Sequence, residues 1–520
     1  MRPLLLAAML GWIACAAAAQ DGPLEPQRPN IILFLVDDLG WQDTSVPLHT
    51  RTTPLNQRYR TPNLEKLAAR GAKFTQAYAA APVCTPTRTS ILTGQSPART
   101  HITYWTLHRD TDTSRPREDI AAPAWNMNGL SQDDRSLARI LRRIGYRTIH
   151  VGKAHFGAHD TSGADPRNLG FEVNIAGHAS GGPASYDGLD HFTVAGRQGA
   201  AAHGGASVWD VPDLEIYHGH DIYLTEALAL EATRQIHRAA ADNTPFFMNF
   251  APYAVHAPIM ANRKYLANYP DLDEREAAYA TMVESVDAAL GALVNALDET
   301  GQLDNTIILY TSDNGGLSAQ ARGAAPDGKM AHTHNAPLRS GKGSAYEGGV
   351  RVPMVIAWPG VVEGPMTITT PVISYDLFPT IIALAGLQTD YDPEIDGRDL
   401  TPLLTGRPEL FDASRTLGWN QPHQWGADGP GIEPFTSLRA GDWKLIYFHA
   451  GRRFELYDLA KDIGEAKDLA AANPDKLKEL AALMDAWIDT TGAQLSIDKK
   501  TGEQIERPGA AAEATAHGGS

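Results

Sequence analysis

The sequence predicts a large α/β domain, a mostly parallel or mixed sheet sandwiched by helices, followed by a smaller C-terminal α+β domain. Three observations predict this. Nearly continuous apolar runs of strand length recur along the chain as far as Trp358. Amphipathic stretches with helical spacing alternate with them. Beyond about Gly397 the pattern changes to a hairpin and a closing helix.

The first run, NIILFLV over Asn30–Val36, reads as a strand buried on both faces. Residues 62–70 read as a helix, with Thr61 before it and Pro62 at its first position. Residues 136–144 form a helix stopped by Gly145, and 147–151 form a strand. A long amphipathic helix is expected over 221–240 and a buried strand over 246–250. Residues 275–297 give a second long helix, with Val283, Val286, Leu290, Leu293 and Leu297 on one face. Strands follow at 306–311 (TIILYT) and 353–358. In the smaller domain, 436–439 and 443–448 flank Ala440-Gly441-Asp442 as a hairpin, and 474–488 is the closing helix. The divisions expected are a catalytic domain over 28–396, a subdomain over 397–498, and a disordered Gly/Ala-rich tail over 499–520.

The chain has 520 residues, 43% apolar and 20% charged, which suits a globular protein with a large core. Its 61 acidic and 45 basic residues give a formal net charge of -16. That excludes a surface built for nucleic acid, although a locally basic cleft still admits an anionic substrate. The opening MRPLLLAAMLGWIACAAAAQ resembles a secretory leader: Arg2, an apolar stretch over 4–14, then Ala17-Ala18-Ala19 before Gln20. Residues 1–19 are therefore expected to be a signal peptide, and the protein secreted or periplasmic. The apolar stretch is short for a membrane span, and no later segment reads as transmembrane. A lipid anchor through Cys15 is the alternative, but Trp12 fits poorly three places before it.

Only two cysteines occur. With Cys15 in the leader, the mature chain carries Cys84 alone, and no internal disulfide can form. A lone thiol in an oxidising compartment needs a reason. Burial as a small apolar side chain is one; its neighbours offer another. In CTPTRTSILTG, Pro86 opens a helix and Gly94 ends it. Cys84 then sits at the helix N-terminus, where free N–H groups favour an anion, with Arg88 one turn along.

Ligands of an open parallel sheet gather beyond the carboxyl ends of its strands. Asp37 and Asp38 follow the first strand directly, and Asp313 and Asn314 follow TIILYTS. Either pair alone is as well explained by turn or cap residues. Together they converge on one edge, where three carboxylates repel. Two unit charges 4 Å apart cost about 4 kcal/mol at an effective dielectric near 20. An all-oxygen set suits a hard cation such as Ca²⁺ or Mg²⁺.

Cys84-x-Pro86-x-Arg88 followed by Thr93-Gly94 resembles the signature of the formylglycine sulfatases, within the alkaline-phosphatase superfamily. GYRTIHVGKAH (145–155) is similar to the family's second block, and SGKG (340–343) leading into YEGG (346–349) to the block with a further lysine. The two acidic pairs also match, so the resemblance runs from about Asn30 to Pro353 in the family's order.

The resemblance implies an alkaline-phosphatase-like fold and hydrolysis of sulfate esters. It implies that a formylglycine-generating maturation enzyme oxidises Cys84 to formylglycine (3-oxoalanine). Asp37, Asp38, Asp313, Asn314 and residue 84 would hold one Ca²⁺. Arg88 would hold the hydrated aldehyde, Lys153 and Lys342 the sulfate oxygens. His155 would contact the hydrate, and His256 would protonate the leaving oxygen. One hydroxyl of the hydrate would attack sulfur, and the other would expel sulfate afterwards. A serine would leave a stable ester instead. His is suited to proton transfer near neutrality, and fixed cations meet the charge that develops on oxygen. By the same analogy the substrate is a sulfated carbohydrate and the role polysaccharide degradation. His178 and His334, in Gly/Ala-rich loops, are expected at the substrate pocket.

Each lysine and histidine also reads as an ordinary surface or loop residue; the glycines beside Lys153 and Lys342 favour a site. Two alternatives of function stand beside the sulfatase. One is a phosphodiesterase or phosphonate monoester hydrolase of the same superfamily, whose second metal pair resembles Asp-His rather than Asp313-Asn314. The other is a secreted binder of sulfated glycans with Cys84 unconverted.

Overall fold

Every residue of strand β1 (Asn30–Val36) is buried, and its side chains alternate between two cores. Ile32, Phe34 and Val36 join one cluster; Ile31, Leu33 and Leu35 join another. That is the period of two of an extended chain covered on both faces. The computed structural model describes residues 28–195, 207–323, 332–362, 364–387 and 393–517. Residues 1–19, expected as a leader and including Cys15, lie outside the described residues.

Seven further strands complete the sheet around β1: β2 (Ala72–Phe74), β3 (Arg147–Gly152), β4 (Val173–Ile175), β5 (Phe246–Ala251), β6 (Thr306–Ser312), β7 (Met354–Ala357) and β8 (Met366–Ile368). The order is β8-β2-β7-β6-β1-β5-β3-β4. Strands β6, β1, β5, β3 and β4 run parallel. Only β7 runs against its neighbours. The sheet is therefore mixed and mostly parallel.

Helices cover both faces. On one side lie α1 (Pro62–Ala69), α4 (Leu224–Ala241) and α5 (Glu274–Glu299), which contribute Leu64, Leu228 and Leu290 to the first core. On the other lie α2 (Cys84–Thr93), α3 (Leu137–Arg143) and α6 (Leu377–Leu384), with Ile91, Leu141 and Ile381 in the second. Helix α5 is long and apolar enough to cross a membrane by length and composition. Here most of it is buried within the protein.

The hairpin expected near residue 440 is the centre of a four-stranded antiparallel sheet: β9 (Leu417–Gln421), β10 (Phe435–Ala440), β11 (Trp443–Phe448) and β12 (Arg453–Asp458). Helix α7 (Pro474–Thr491) packs on it through Leu480, Ala481 and Met484. The expectation of a disordered tail over 499–520 is corrected for residues 499–517; residues 518–520 lie outside the described residues. Ile505 is buried, and helix α8 (Pro508–His517) puts Ala511 and Ala512 against α7. Arg507 fastens it, with Nη1 2.8 Å from Asp489 and Nη2 donating to the Asp485 carbonyl at 2.7 Å. Alanine buries little area, so its composition looked unable to order. A ready apolar face on α7 supplies the missing contact.

A buried charge network joins the two domains. Lys444 of β11 lies 3.0 Å from Glu347 and 2.9 Å from Glu465. Tyr78 donates to Glu347 at 2.7 Å. Breaking a fully buried pair costs about 3–5 kcal/mol, so this network holds the 340–350 segment firmly.

Candidate active site

Strand register explains why the two acidic pairs meet. Val36 of β1 pairs with Ser312 of β6, so Asp37 and Asp313 leave the sheet side by side. On the other flank of β1, Gly152 of β3 pairs with Ala251 of β5. Lys153 and His155 therefore emerge next to the segment that carries His256. Gly152 has φ 100°, and a Cβ there would lie 2.0 Å from the Ala251 carbonyl oxygen. Only glycine permits this close strand approach beside Lys153.

Helix α2 brings its first residue to the same edge. One donor atom each from Asp37, Asp38, Cys84 and Asp313 lie within 4.8 Å of one another, and all four residues are buried. Asp38 adopts φ 60°, backbone strain of the kind that persists where surrounding structure enforces it. Asn314 donates Nδ2 to Asp38 at 2.7 Å, while its buried Oδ1 has no hydrogen-bond partner. An orphaned amide oxygen beside three buried carboxylates is a donor set for a hard divalent cation. The residues present fit Ca²⁺.

Three cations surround the cluster. Lys153 Nζ lies 2.8 and 2.7 Å from the two oxygens of Asp37. Arg88 Nε donates to Asp313 at 2.7 Å and Nη1 to the Lys153 carbonyl at 2.9 Å. Its Nη2, 3.6 Å from Asp37, makes no hydrogen bond. Lys342 Nζ lies 2.7 Å from Asp38 and 3.3 Å from Cys84 Sγ. Lys342 arrives on a loop anchored by two backbone bonds, its own N–H to Gly316 and that of Gly343 to Pro82.

The electrostatics follow. Burial, reinforced by Asp313 and Asp38, raises Asp37 well above the usual carboxylate range despite Lys153. Burial also opposes ionisation of Asp38 and Asp313, but Lys342 at the first and Arg88 at the second outweigh it and hold both low. Burial pushes the Cys84 thiol up to about 12. An unmodified Cys84 thus stays protonated near neutrality and offers no thiolate.

A cavity of about 190 Å³ opens over Cys84, with His155, His256 and Lys342 in its wall. His256 Nδ1 lies 2.6 Å from the Ala257 carbonyl, and Nε2 lies 3.7 Å from Asp38. Burial, then Lys342, lowers its pKa to about 3. His155, at φ 54°, donates Nε2 to the Thr106 carbonyl at 2.8 Å. Its buried Nδ1 has no partner, and burial, then Lys153, holds the ring neutral.

The structure thus brings together Asp37, Asp38, Cys84, Arg88, Lys153, His155, His256, Asp313, Asn314 and Lys342. It does not place the other two expected histidines in the cavity wall. His178 is not among the described residues lining the cavity; its carbonyl accepts the N–H of His155 at 3.0 Å, and its ring packs on Tyr253. His334 lies 3.9 Å from Glu276 in a separate network with Arg322. Sequence position alone could not place either ring, because both follow loops whose paths are set by distant contacts. The sequence reading also missed Trp105, Trp209 and Trp425, which line the cavity. No motif marks them.

Comparison with known proteins bears on what this edge does. The family described as Sulfatase matches residues 29–387, and N-sulphoglucosamine sulphohydrolase, C-terminal, matches 341–491. A sulfatase of Formosa agariphila is 29% identical, covering 95% of this chain and 94% of its own. Steryl-sulfatase of Rattus norvegicus is 31% identical over 78% of this chain and 74% of its own. N-acetylgalactosamine-6-sulfatase of Canis lupus familiaris is 30% identical over 81% and 77%. The solved structure of Ps i-CgsB in complex with k-i-k-neocarrahexaose superposes with a TM-score of 0.69 at 27% identity, covering 94% of this chain and 98% of that one. The acidic strand ends, the helix opening at Cys84 and the lysine loop all fall inside the first match, and the relatives align over most of their own length. The chain belongs to the sulfatase family and is a sulfuric ester hydrolase.

Proposed function

We propose that this protein hydrolyses sulfate esters on a sulfated carbohydrate, using a formylglycine at position 84 beside one bound Ca²⁺. One observation carries the reading. Cys84 Sγ lies at the centre of the edge, with donors of Asp37, Asp38 and Asp313 within 4.8 Å and Lys342 at 3.3 Å. That sulfur stands where an oxygen of the formylglycine hydrate would be. The raised thiol pKa and the orphaned Asn314 Oδ1 support the same reading. The carbohydrate substrate is supported by the oligosaccharide in the Ps i-CgsB complex and by the name of the N-acetylgalactosamine relative.

When present, the hydrated formylglycine supplies the attacking oxygen and the divalent ion supplies positive charge that favours its ionised form and polarises the sulfate. Asp37, Asp38, Asp313 and the Asn314 amide oxygen would hold the ion. Lys153 and Lys342 bind sulfate oxygens and meet the charge that develops there. Arg88 offers Nη2 to residue 84 and fixes Asp313. His155 keeps Nδ1 toward the cavity because Nε2 is committed to Thr106. His256 holds the proton for the leaving oxygen at Nε2. An anionic ester beside it favours the protonated ring and raises its pKa from the low value of the free site.

The leader-like composition of residues 1–19 supports export, to the periplasm or beyond, and the conversion at Cys84 requires a formylglycine-generating maturation enzyme as partner. The test is a panel of defined sulfated saccharides with sulfate release as readout, coupled to intact-peptide mass spectrometry of residue 84. The expected result is release that tracks the converted fraction and is absent from Cys84→Ala. Release by a protein whose residue 84 is entirely thiol would refute the nucleophile. Faster cleavage of an aryl phosphonate than of the matched aryl sulfate would refute the reaction.

A further inference from the structure

The cavity over residue 84 has a second wall that the chemistry above does not use. Trp105, Trp209 and Trp425 line the cavity together with the reacting groups. Three of the chain's ten tryptophans thus gather at one small opening. All three are half-buried, so they present ring surface rather than fill a core.

Two of the rings are held by packing, and the third residue is tied through its backbone. Trp105 and Trp425 rest on a buried cluster of Val83, Tyr104 and Trp125. Tyr104 meets Trp125 edge-on at 6.2 Å and stacks on His423 at 5.0 Å. Trp425, supplied by the C-terminal domain, packs against Gly343. A Cβ at 343 would be 2.0 Å from Trp425 Cε3, and φ there is 85°. The ring is thereby fixed one residue from Lys342. The Trp209 carbonyl accepts the N–H of Ala184 at 2.7 Å, which ties it to the loop over His256.

The charge of this wall is equally specific. Among the described residues lining the cavity there is no Arg, Asp or Glu. The one lysine, Lys342, is already drawn to Asp38 and Cys84.

We propose that Trp105, Trp209 and Trp425 bind the ring that carries the ester, and that they select a neutral sugar unit over a uronate or a unit with a second sulfate. This rests on the carbohydrate reading given above. A pyranose presents a face of C–H groups that packs on an aromatic face. A second anionic group would leave water with no further cation among the described lining residues to balance it, only neutral donors such as the indole N–H groups, which is costly. A cavity of about 190 Å³ is below the roughly 300–1,000 Å³ of sites for drug-sized ligands, and it suits one sugar ring.

The experiment uses the full chain with residue 84 converted. Sulfate release is compared for a monosulfated neutral hexose, the same hexose with a second sulfate, and a sulfated uronate. The neutral unit is expected to lead by about tenfold or more in kcat/KM. Trp425→Ala should raise its KM about tenfold with a smaller change in kcat, and Trp425→Phe should restore most of the loss. Equal or better turnover of the uronate or the disulfated unit overturns the selection, as does an unchanged KM in Trp425→Ala. Failure of the carbohydrate reading looks different: no sugar in the panel releases sulfate, although an aryl sulfate does, and the selection falls with it.

Discussion

The Nζ of Lys342 lies 3.3 Å from the Sγ of Cys84, although 258 residues separate them in the chain. The lysine reaches this place because its loop is pinned on both sides. Gly316 and Pro82 bind its backbone, and Lys444 of the smaller domain holds Glu347 just beyond it. A cation fixed before the reaction stabilises developing negative charge without reorganising.

Lys342→Met is therefore expected to lower kcat/KM for a sulfate ester by about a hundredfold, the usual cost near 3 kcal/mol of removing one such donor. Lys342→Arg should recover little, since the planar guanidinium does not replace a point charge in this confined space. Steady-state rates of sulfate release check this. A methionine variant within threefold of the parent would remove Lys342 from the reaction.

Removal of the metal is expected to act on stability as well as rate. A cation bound only by the folded state adds about 2.7 kcal/mol when present at a hundred times its Kd. Chelation should lower Tm, and Ca²⁺ should restore it. Asn314→Leu, which removes the orphaned oxygen, should weaken that restoration. Calorimetry with and without Ca²⁺ reads this directly, and a Tm indifferent to the ion contradicts the site.

Acid should unfold the protein partly through its buried histidines. His449 sits between Thr436 at 2.9 Å and Ser496 at 2.8 Å, and burial lowers its pKa to about 3. His423 is similarly lowered to about 3, again mainly by burial. In the unfolded chain each titrates near about 6.5. The unfolded state binds more protons below that pH, so the stability these neutral rings allow is lost as pH falls from about 6.5 toward 3. Each contributes up to about 1.4 kcal/mol per pH unit. Replacing His449 by Gln should flatten the dependence by about one proton between pH 6 and 4. Urea unfolding at several pH values measures it; an unchanged slope would show that His449 does not titrate on unfolding.

Deleting residues 499–520 is expected to destabilise the smaller domain. Burial of Ile505 alone is worth about 1.5–3 kcal/mol, and the deletion also removes Ala511 and Ala512 from the core they share with α7. Thermal unfolding of the truncated chain should begin earlier than that of the parent. A truncated chain with the same Tm would mean that α8 adds nothing.

How much of this was legible in the sequence depends on the range of the interactions involved. NIILFLV and TIILYTS announce themselves because a strand covered on both faces is apolar at most positions in a row, a property local to seven residues. The same runs fix where Asp37, Asp38, Asp313 and Asn314 leave the sheet, so the acidic edge could be read in advance. The helix from Cys84 to Gly94 was equally local. Short edge strands such as Val173–Ile175 and Met366–Ile368 were not legible, since three residues carry no period.

By itself, then, the sequence determined the elements, their apolar faces and the residue types delivered to one edge of the sheet. Only the tertiary structure decided that His178 and His334 stand apart from the cavity, that three tryptophans from distant segments enclose it, and that the alanine-rich tail finds a face to cover. The physical reason is that those outcomes rest on contacts between residues far apart in the chain. Their energies depend on which surfaces meet and not on any pattern along either segment.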